Sequence, residues 1–140
     1  MYRKILLAYD GSEGANRALE VGVKLAQIHG AELWLLAVEE RLPRFSGTID
    51  EVQEEKRFAD EQYGKLLEAA KVKAKAAGVD LKTLMRPGHP AQTIVAVAKE
   101  GKFDLVLVGH TGLSGAWAAF LGTTAEKVSR HAPCSVLIVR

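Results

Sequence analysis

Short apolar runs alternate along this chain with longer segments in which apolar residues recur at helical spacing. Unbroken apolar runs of this length are typical of strands covered on both faces, as in parallel sheets. The amphipathic segments between them are typical of helices packed on such a sheet. The alternation predicts one α/β domain over residues 1–140, with an open five-stranded parallel sheet and helices on both faces.

The five predicted strands differ in polarity. Four are almost wholly apolar, whereas LKTLMR, the third, carries polar residues and is therefore expected near an edge of the sheet. The predicted strands cover residues 5–9, 32–38, 81–86, 104–108 and 135–139.

Four helices are predicted between the strands from their start and stop signals. Thr48 and Glu51 have the spacing of a capping box, and Pro90 suits the first turn of the third helix. The last helix is expected to begin at Thr123 or Thr124 and to end near His131. Three glycines are expected to end the other helices: Gly30, Gly78 and Gly101.

The second predicted helix is the longest and has a single apolar stripe. A stripe at this spacing is typical of a helix that packs one face on a sheet. Its members are Val52, Ala59, Tyr63, Leu66, Leu67, Ala70 and Ala74.

Composition narrows the class of protein. The net charge is +2 without a basic block, which argues against a nucleic-acid partner. No stretch approaches the roughly 20 apolar residues that a membrane span needs. Cys134 is the single cysteine, so an internal disulfide is excluded and a reducing, cytoplasmic location is expected.

Candidate chemistry follows the first strand, in Asp10-Gly11-Ser12. Ligands of open parallel sheets bind beyond the carboxyl ends of the strands. A carboxylate there could accept hydrogen bonds from ribose hydroxyls or help to hold Mg²⁺ or Mn²⁺ beside phosphates. The alternative is that Asp10 or Ser12 only caps the following helix.

A second candidate follows the fourth strand. Gly109 and Gly112 can bring backbone amides close to anionic oxygens, and Gly122-Thr123-Thr124 lies at a predicted helix start. Unpaired amides and the positive end of the helix dipole attract phosphate at such a start. The alternative is a turn built from glycines with a threonine helix cap.

The spacing Gly109-x2-Gly112-x9-Gly122-Thr123 is similar to the nucleotide-binding motif of universal stress proteins, in the subgroup that binds ATP. Three further segments resemble the same family: ILLAYDGS, DLVLVG and APCSVLIVR. The resemblance covers the whole chain and preserves the order of its elements. The motifs GxxxxGK[ST] and GxGxxG, which mark other phosphate-binding folds, are absent from the sequence.

The resemblance implies a fold, a ligand and a set of contacts. The strand order would be 3-2-1-4-5, which places Asp10 beside Gly109. Asp10 would contact ATP or another adenine nucleotide, and main-chain groups at Val38 would recognise adenine. Family members commonly form dimers through the last strand, here Ser135 to Val139. The residues implied to hold ribose and phosphates are Gly109, Gly112, Gly122, Thr123 and Thr124.

Two features depart from the family pattern. His110 and Thr111 stand where serine and a basic residue are common, and the insert Leu113 to Leu121 is unusually apolar. Trp117 and Phe120 in that insert could pack on the ligand or a partner subunit, or simply anchor a loop.

A phosphate cradle without a visible catalytic apparatus predicts a nucleotide-binding sensor or regulatory protein, and the resemblance implies a role in the stress response as a homodimer. One alternative is a slow Mg-dependent ATP hydrolase that uses Asp10 with His110 or His89. Another is a dimerisation module that binds no nucleotide. Arg41 and Arg44 could reach phosphates, and His29 and His131 are expected at helix ends.

Overall fold

The computed structural model describes residues 1–40, 47–110 and 122–140. Five parallel strands form a sheet in the order β3-β2-β1-β4-β5. This confirms the expected class and strand order, with the polar third strand at an edge. The strands are β1 (Lys4–Ala8), β2 (Glu32–Glu39), β3 (Leu81–Pro87), β4 (Leu105–Gly109) and β5 (Ser135–Val139).

Strand ends differ from the prediction by about one residue. Tyr9 lies just after β1, although its N–H still donates to the Leu36 carbonyl at 2.9 Å. Asp104 precedes β4 and accepts the backbone N–H groups of Arg3 and Lys4 at 2.8 and 3.1 Å. The sequence predicts Asp104 as the first residue of the fourth strand. It lies instead just before β4, where its carboxylate connects the beginnings of β1 and β4 through hydrogen bonds.

Helices lie on both faces of the sheet, as the alternation predicts. The α1 and α2 helices share one apolar cluster with Ile5 and Leu7, whereas α3 and α4 share the other with Leu6. Because successive residues of β1 face opposite clusters, all three are fully buried. The helices are α1 (Glu13–His29), α2 (Ile49–Ala76), α3 (Pro90–Glu100) and α4 (Thr123–His131).

Local signals set most helix ends. Ser12 caps α1 by accepting the Ala15 N–H on its hydroxyl at 3.1 Å, and Gly30 ends the helix in the left-handed conformation. Both hydrogen bonds of the predicted Thr48–Glu51 capping box are formed, at 3.2 Å each. The helix that follows it ends at Ala76, with Ala77 as its cap, so Gly78 lies just beyond the end.

The apolar stripe of α2 is buried only in its C-terminal half. Ala70 and Ala74 are buried, but Val52 is 45% exposed and Ile49 is 77% exposed. The prediction that Val52 belongs to the buried face is therefore wrong. With 28 residues, α2 is about 42 Å long, whereas the 8 residues of β2 span about 26 Å. The helix is therefore longer than the strands it packs on and extends beyond the sheet.

Trp34 and Cys134 are only partly buried. Trp34 packs against the cluster under α3 and α4, edge-on to Phe103 with ring centroids 6.0 Å apart. Cys134 lies just before β5, and burial raises the pKa of its thiol. Within the described ranges, no helix is both long and apolar enough to cross a bilayer.

Candidate functional site

The strand order reverses between β1 and β4, which are hydrogen-bonded neighbours with Leu7 opposite Leu107. From β1 the chain crosses through α1 to β2, and from β4 it crosses through α4 to β5 on the other face. Crossovers that diverge in this way leave a crevice beyond the carboxyl ends of the two strands. Asp10 follows β1 and Gly109 ends β4, so both predicted residues lie at this point.

The segment after β1 forms a tight turn. Asp10 Oδ1 accepts the Ser12 N–H at 2.9 Å, and Ser12 in turn caps α1. Gly11 has a φ of 79°, which favours glycine, and a Cβ there would lie 3.0 Å from Leu66 Cδ2 of α2. Of the two residues proposed as caps, only Ser12 caps the helix. The Asp10 carboxylate instead accepts a hydrogen bond within the turn, at the carboxyl edge of the sheet.

Gly109 lies against the first turn of α1. A Cβ at this position would be 3.0 Å from the Gly14 carbonyl carbon, 3.1 Å from its oxygen and 3.3 Å from the Ala15 nitrogen. Contacts to backbone atoms this close cannot be relieved by a side-chain rotation. A side chain at position 109 would therefore force the backbones of β4 and α1 apart by a few tenths of an ångström.

His110 links the end of β4 to two neighbouring elements through its backbone. Its N–H donates to the Val139 carbonyl of β5 at 2.7 Å, and its carbonyl accepts the Gly122 N–H at 2.8 Å. His110 is itself buried. These two bonds hold the beginning of α4 beside the carboxyl end of β4.

The first turn of α4 has no side-chain cap. Gly122 is the N-cap residue, so the predicted alternative of a threonine cap is wrong. The first intrahelical bond runs from the Glu126 N–H to the Gly122 carbonyl at 3.0 Å. The amides of Thr123, Thr124 and Ala125 precede that bond, and at the positive end of the helix they form a site suited to an anionic oxygen.

Two tyrosines border the turn after β1. Tyr9 donates its phenolic hydrogen to Asn16 Oδ1 at 2.5 Å, and burial and the nearby Asp10 raise its pKa. Burial also raises the pKa of Tyr63 on α2, and the carboxylates of Glu39, Asp10 and Glu40 raise it further. Sequence reasoning placed Tyr63 in an apolar stripe and missed this position, although it is the one stripe member with a polar tip.

The end of β2 lies at the same edge of the sheet. Val38 is half-buried and opposite Arg86 of β3, and Glu39 is buried, with its carbonyl accepting the Gly88 N–H at 3.0 Å. The main chain proposed to recognise adenine is thus one strand away from Asp10.

Several predicted residues are placed elsewhere or lie outside the described ranges. His89 is the exposed N-cap residue of α3, and His29 and His131 end α1 and α4 as expected. The residues outside the described ranges are Gly112, Thr111, Leu113 to Leu121 with Trp117 and Phe120, and Arg41 and Arg44.

A metal at Asp10 would need ligands besides those of the described chain. Across residues 1–40, 47–110 and 122–140, no group of three or more His, Cys, Asp and Glu side chains is arranged to hold a metal ion. Mg²⁺ commonly binds through one or two carboxylates together with phosphate oxygens and water. Asp10 would be one such carboxylate, and the other ligands of a metal there would have to be phosphate oxygens and water.

Comparison with known proteins gives one family across the whole chain. The sequence model described as the universal stress protein family matches residues 1–140. A universal stress protein of Thermus aquaticus is 39% identical over 100% of both chains.

Solved structures agree with this result. Universal stress protein UspA from Lactobacillus plantarum has a TM-score of 0.86 and 30% identity, covering 99% of this chain and 98% of its own. A universal stress protein in complex with cAMP has a TM-score of 0.74 and 28% identity, covering 99% and 97% of the two chains.

Proposed function

Because this chain belongs to the universal stress protein family, we propose that it is a cytoplasmic regulatory or sensor protein of the stress response that binds ATP or another adenine nucleotide. The observation that carries the proposal is the uncapped first turn of α4, which is held beside the carboxyl end of β4, the strand that pairs with β1. Helix amides after β4 and a carboxylate after β1 then lie at the same edge of the sheet, which suits a ligand with both phosphates and hydroxyls. The related protein bound to cAMP supports an adenine ligand.

Each part of the nucleotide has a proposed partner. The amides of Thr123 and Thr124, with their hydroxyls and Gly122, bind phosphate oxygens, because the positive end of α4 favours negative charge. Asp10 accepts hydrogen bonds from the ribose hydroxyls and can share Mg²⁺ or Mn²⁺ with the phosphates. The backbone groups of Gly109 and Gly112 contact the ribose and the phosphates, and the main chain at Val38 contacts adenine.

Calorimetric titration of the purified protein with ATP, ADP, AMP and cAMP, with and without Mg²⁺, tests the proposal. We expect saturable binding of at least one adenine nucleotide below millimolar concentration. Mass spectrometry of protein purified without added nucleotide gives an independent measurement. Absence of binding by all four ligands up to millimolar concentration would show that the proposal is wrong.

Two variants test the placement of the site. Gly122 has extended backbone angles that valine can adopt, so Gly122→Val should leave the fold intact while its side chain obstructs the phosphate position. Asp10→Asn should weaken binding, whereas Glu13→Gln, an exposed carboxylate three positions later on α1, should not. Normal nucleotide affinity in Gly122→Val would contradict the assignment of the α4 amides.

Hydrolysis is tested in the same preparations. A slow Mg-dependent ATP hydrolase would release phosphate in a single turnover, and the release would disappear in Asp10→Asn. A protein that binds ATP and returns it unchanged fits the regulatory role that we propose.

We also propose that two copies associate through β5. This strand forms one edge of the described sheet, and Leu137 on it is 38% exposed. An edge strand offers unpaired backbone groups to a second chain. Sedimentation analysis should give a dimer that Leu137→Glu converts to monomer, and a monomeric wild-type protein would refute this arrangement.

A further inference from the structure

The first half of α2 extends past the carboxyl edge of the sheet, on the side of the proposed nucleotide crevice. Leu66 marks the level of that edge, because its Cδ2 would touch a Cβ added to Gly11, the residue after Asp10. Residues 49–65 precede this contact and rise about 25 Å along the helix axis. The helix therefore continues as a wall beside the ends of β1 and β2.

Tyr63 is the aromatic residue of this wall that lies nearest to Leu66 along the helix. It lies three positions before Leu66, hence on the same helix face and about one turn further beyond the sheet. Tyr63 is half-buried, whereas Phe58, on the other side of the helix, is 64% exposed. The carboxylates of Glu39 at the end of β2, Asp10 after β1 and Glu40 after β2 act on its phenol. Together with the Leu66 contact at Gly11, this puts Tyr63 on the α2 side of the edge where the proposed ribose and adenine partners lie.

Charge orients a nucleotide in this crevice. The amides at the start of α4 attract phosphates, whereas the carboxylates of Glu39 and Glu40 near Tyr63 disfavour them. The uncharged end of the nucleotide, its base, is then the part that reaches α2. The Tyr63 phenol is neutral at neutral pH, and burial and the nearby carboxylates raise its pKa further, so its ring offers an aromatic surface without a charge.

We propose that the Tyr63 side chain forms the α2 wall of the nucleotide site and packs its ring against the adenine base. This inference rests on the function proposed above and adds a contact from α2 to the strand and loop contacts described there. Stacking on an aromatic ring contributes to binding only through the base of the ligand. Removing the ring should therefore lower the affinity for a ligand that has a base and leave the affinity for a ligand without one unchanged.

The experiment compares ATP with inorganic tripolyphosphate, which has no base, as ligands of the full chain. We expect Tyr63→Ala and Tyr63→Leu to weaken ATP binding by about tenfold or more, and Tyr63→Phe to stay within about twofold of wild type. The affinity for tripolyphosphate should be the same in wild type and in all three Tyr63 variants. Phe58→Ala, an equal truncation on the exposed side of the same helix, should change neither affinity.

The outcomes separate this inference from the proposed function. If wild type binds no nucleotide, the proposed function fails and this contact fails with it. If wild type binds ATP and Tyr63→Leu binds it equally well, only the contact is wrong. A loss in Tyr63→Phe as large as in Tyr63→Leu, or an equal loss for tripolyphosphate, would also overturn packing of the ring on the base.

Discussion

Replacing Gly109 by alanine tests whether this glycine is required for packing. The added Cβ would stand 3.0 Å from the Gly14 carbonyl carbon and 3.1 Å from its oxygen, at the first turn of α1. Both are backbone atoms of a helix held by the Ser12 cap and by buried residues along its length. The end of β4 and the start of α1 must therefore move apart by a few tenths of an ångström.

Insertion of one methyl group into tight packing costs typically about 1–3 kcal/mol, and the rigid neighbours here favour the upper half of that range. For a domain of this size, each kcal/mol lowers the melting temperature by about 3–4 °C. We therefore expect Gly109→Ala to melt roughly 6–12 °C below wild type.

Gly64→Ala is the matched control, measured by the same calorimetric or circular dichroism melt. Gly64 is exposed inside α2, with nothing within 4 Å of an added Cβ. Alanine there should stabilise the helix by up to about 1 kcal/mol. If Gly109→Ala melts at or above the wild-type temperature, the close packing of β4 on α1 is wrong.

Three further predictions concern stability and ionisation. Ser12→Ala removes the cap of α1, so the free energy of unfolding in urea should fall by about 1 kcal/mol, and an unchanged midpoint would contradict this. Leu107→Ala at a fully buried position should cost about 2–5 kcal/mol in the same assay, and a loss below 1 kcal/mol would mean that the core collapses around the gap. Asp10→Asn removes a charge that raises the pKa of Tyr9 and Tyr63, so the tyrosinate absorbance should appear at lower pH than in wild type. Because the folded phenols hold their protons more tightly than the unfolded ones, their contribution to stability is present below about pH 10 and lost as pH rises through the folded pKa.

The sequence by itself determined the elements of this fold, because their signals are local. An apolar run such as Ile5 to Leu7 specifies a strand buried on both faces, and Thr48 with Glu51 specifies a helix start within one turn. The same signals placed Asp10 at the carboxyl edge of the sheet. The strand order came from the family resemblance, since periodicity alone does not order strands.

Only the tertiary structure decided what depends on contacts between distant segments. Gly109 is confined by Gly14, and a glycine spacing cannot reveal a neighbour on another element. Val52 and Tyr63 belong to one apolar stripe, yet Val52 is 45% exposed while Tyr63 is half-buried and feels the carboxylates of Glu39, Asp10 and Glu40. Helical periodicity tells which face a residue is on, whereas the extent of the partner sheet, set by other strands, decides whether that face is covered.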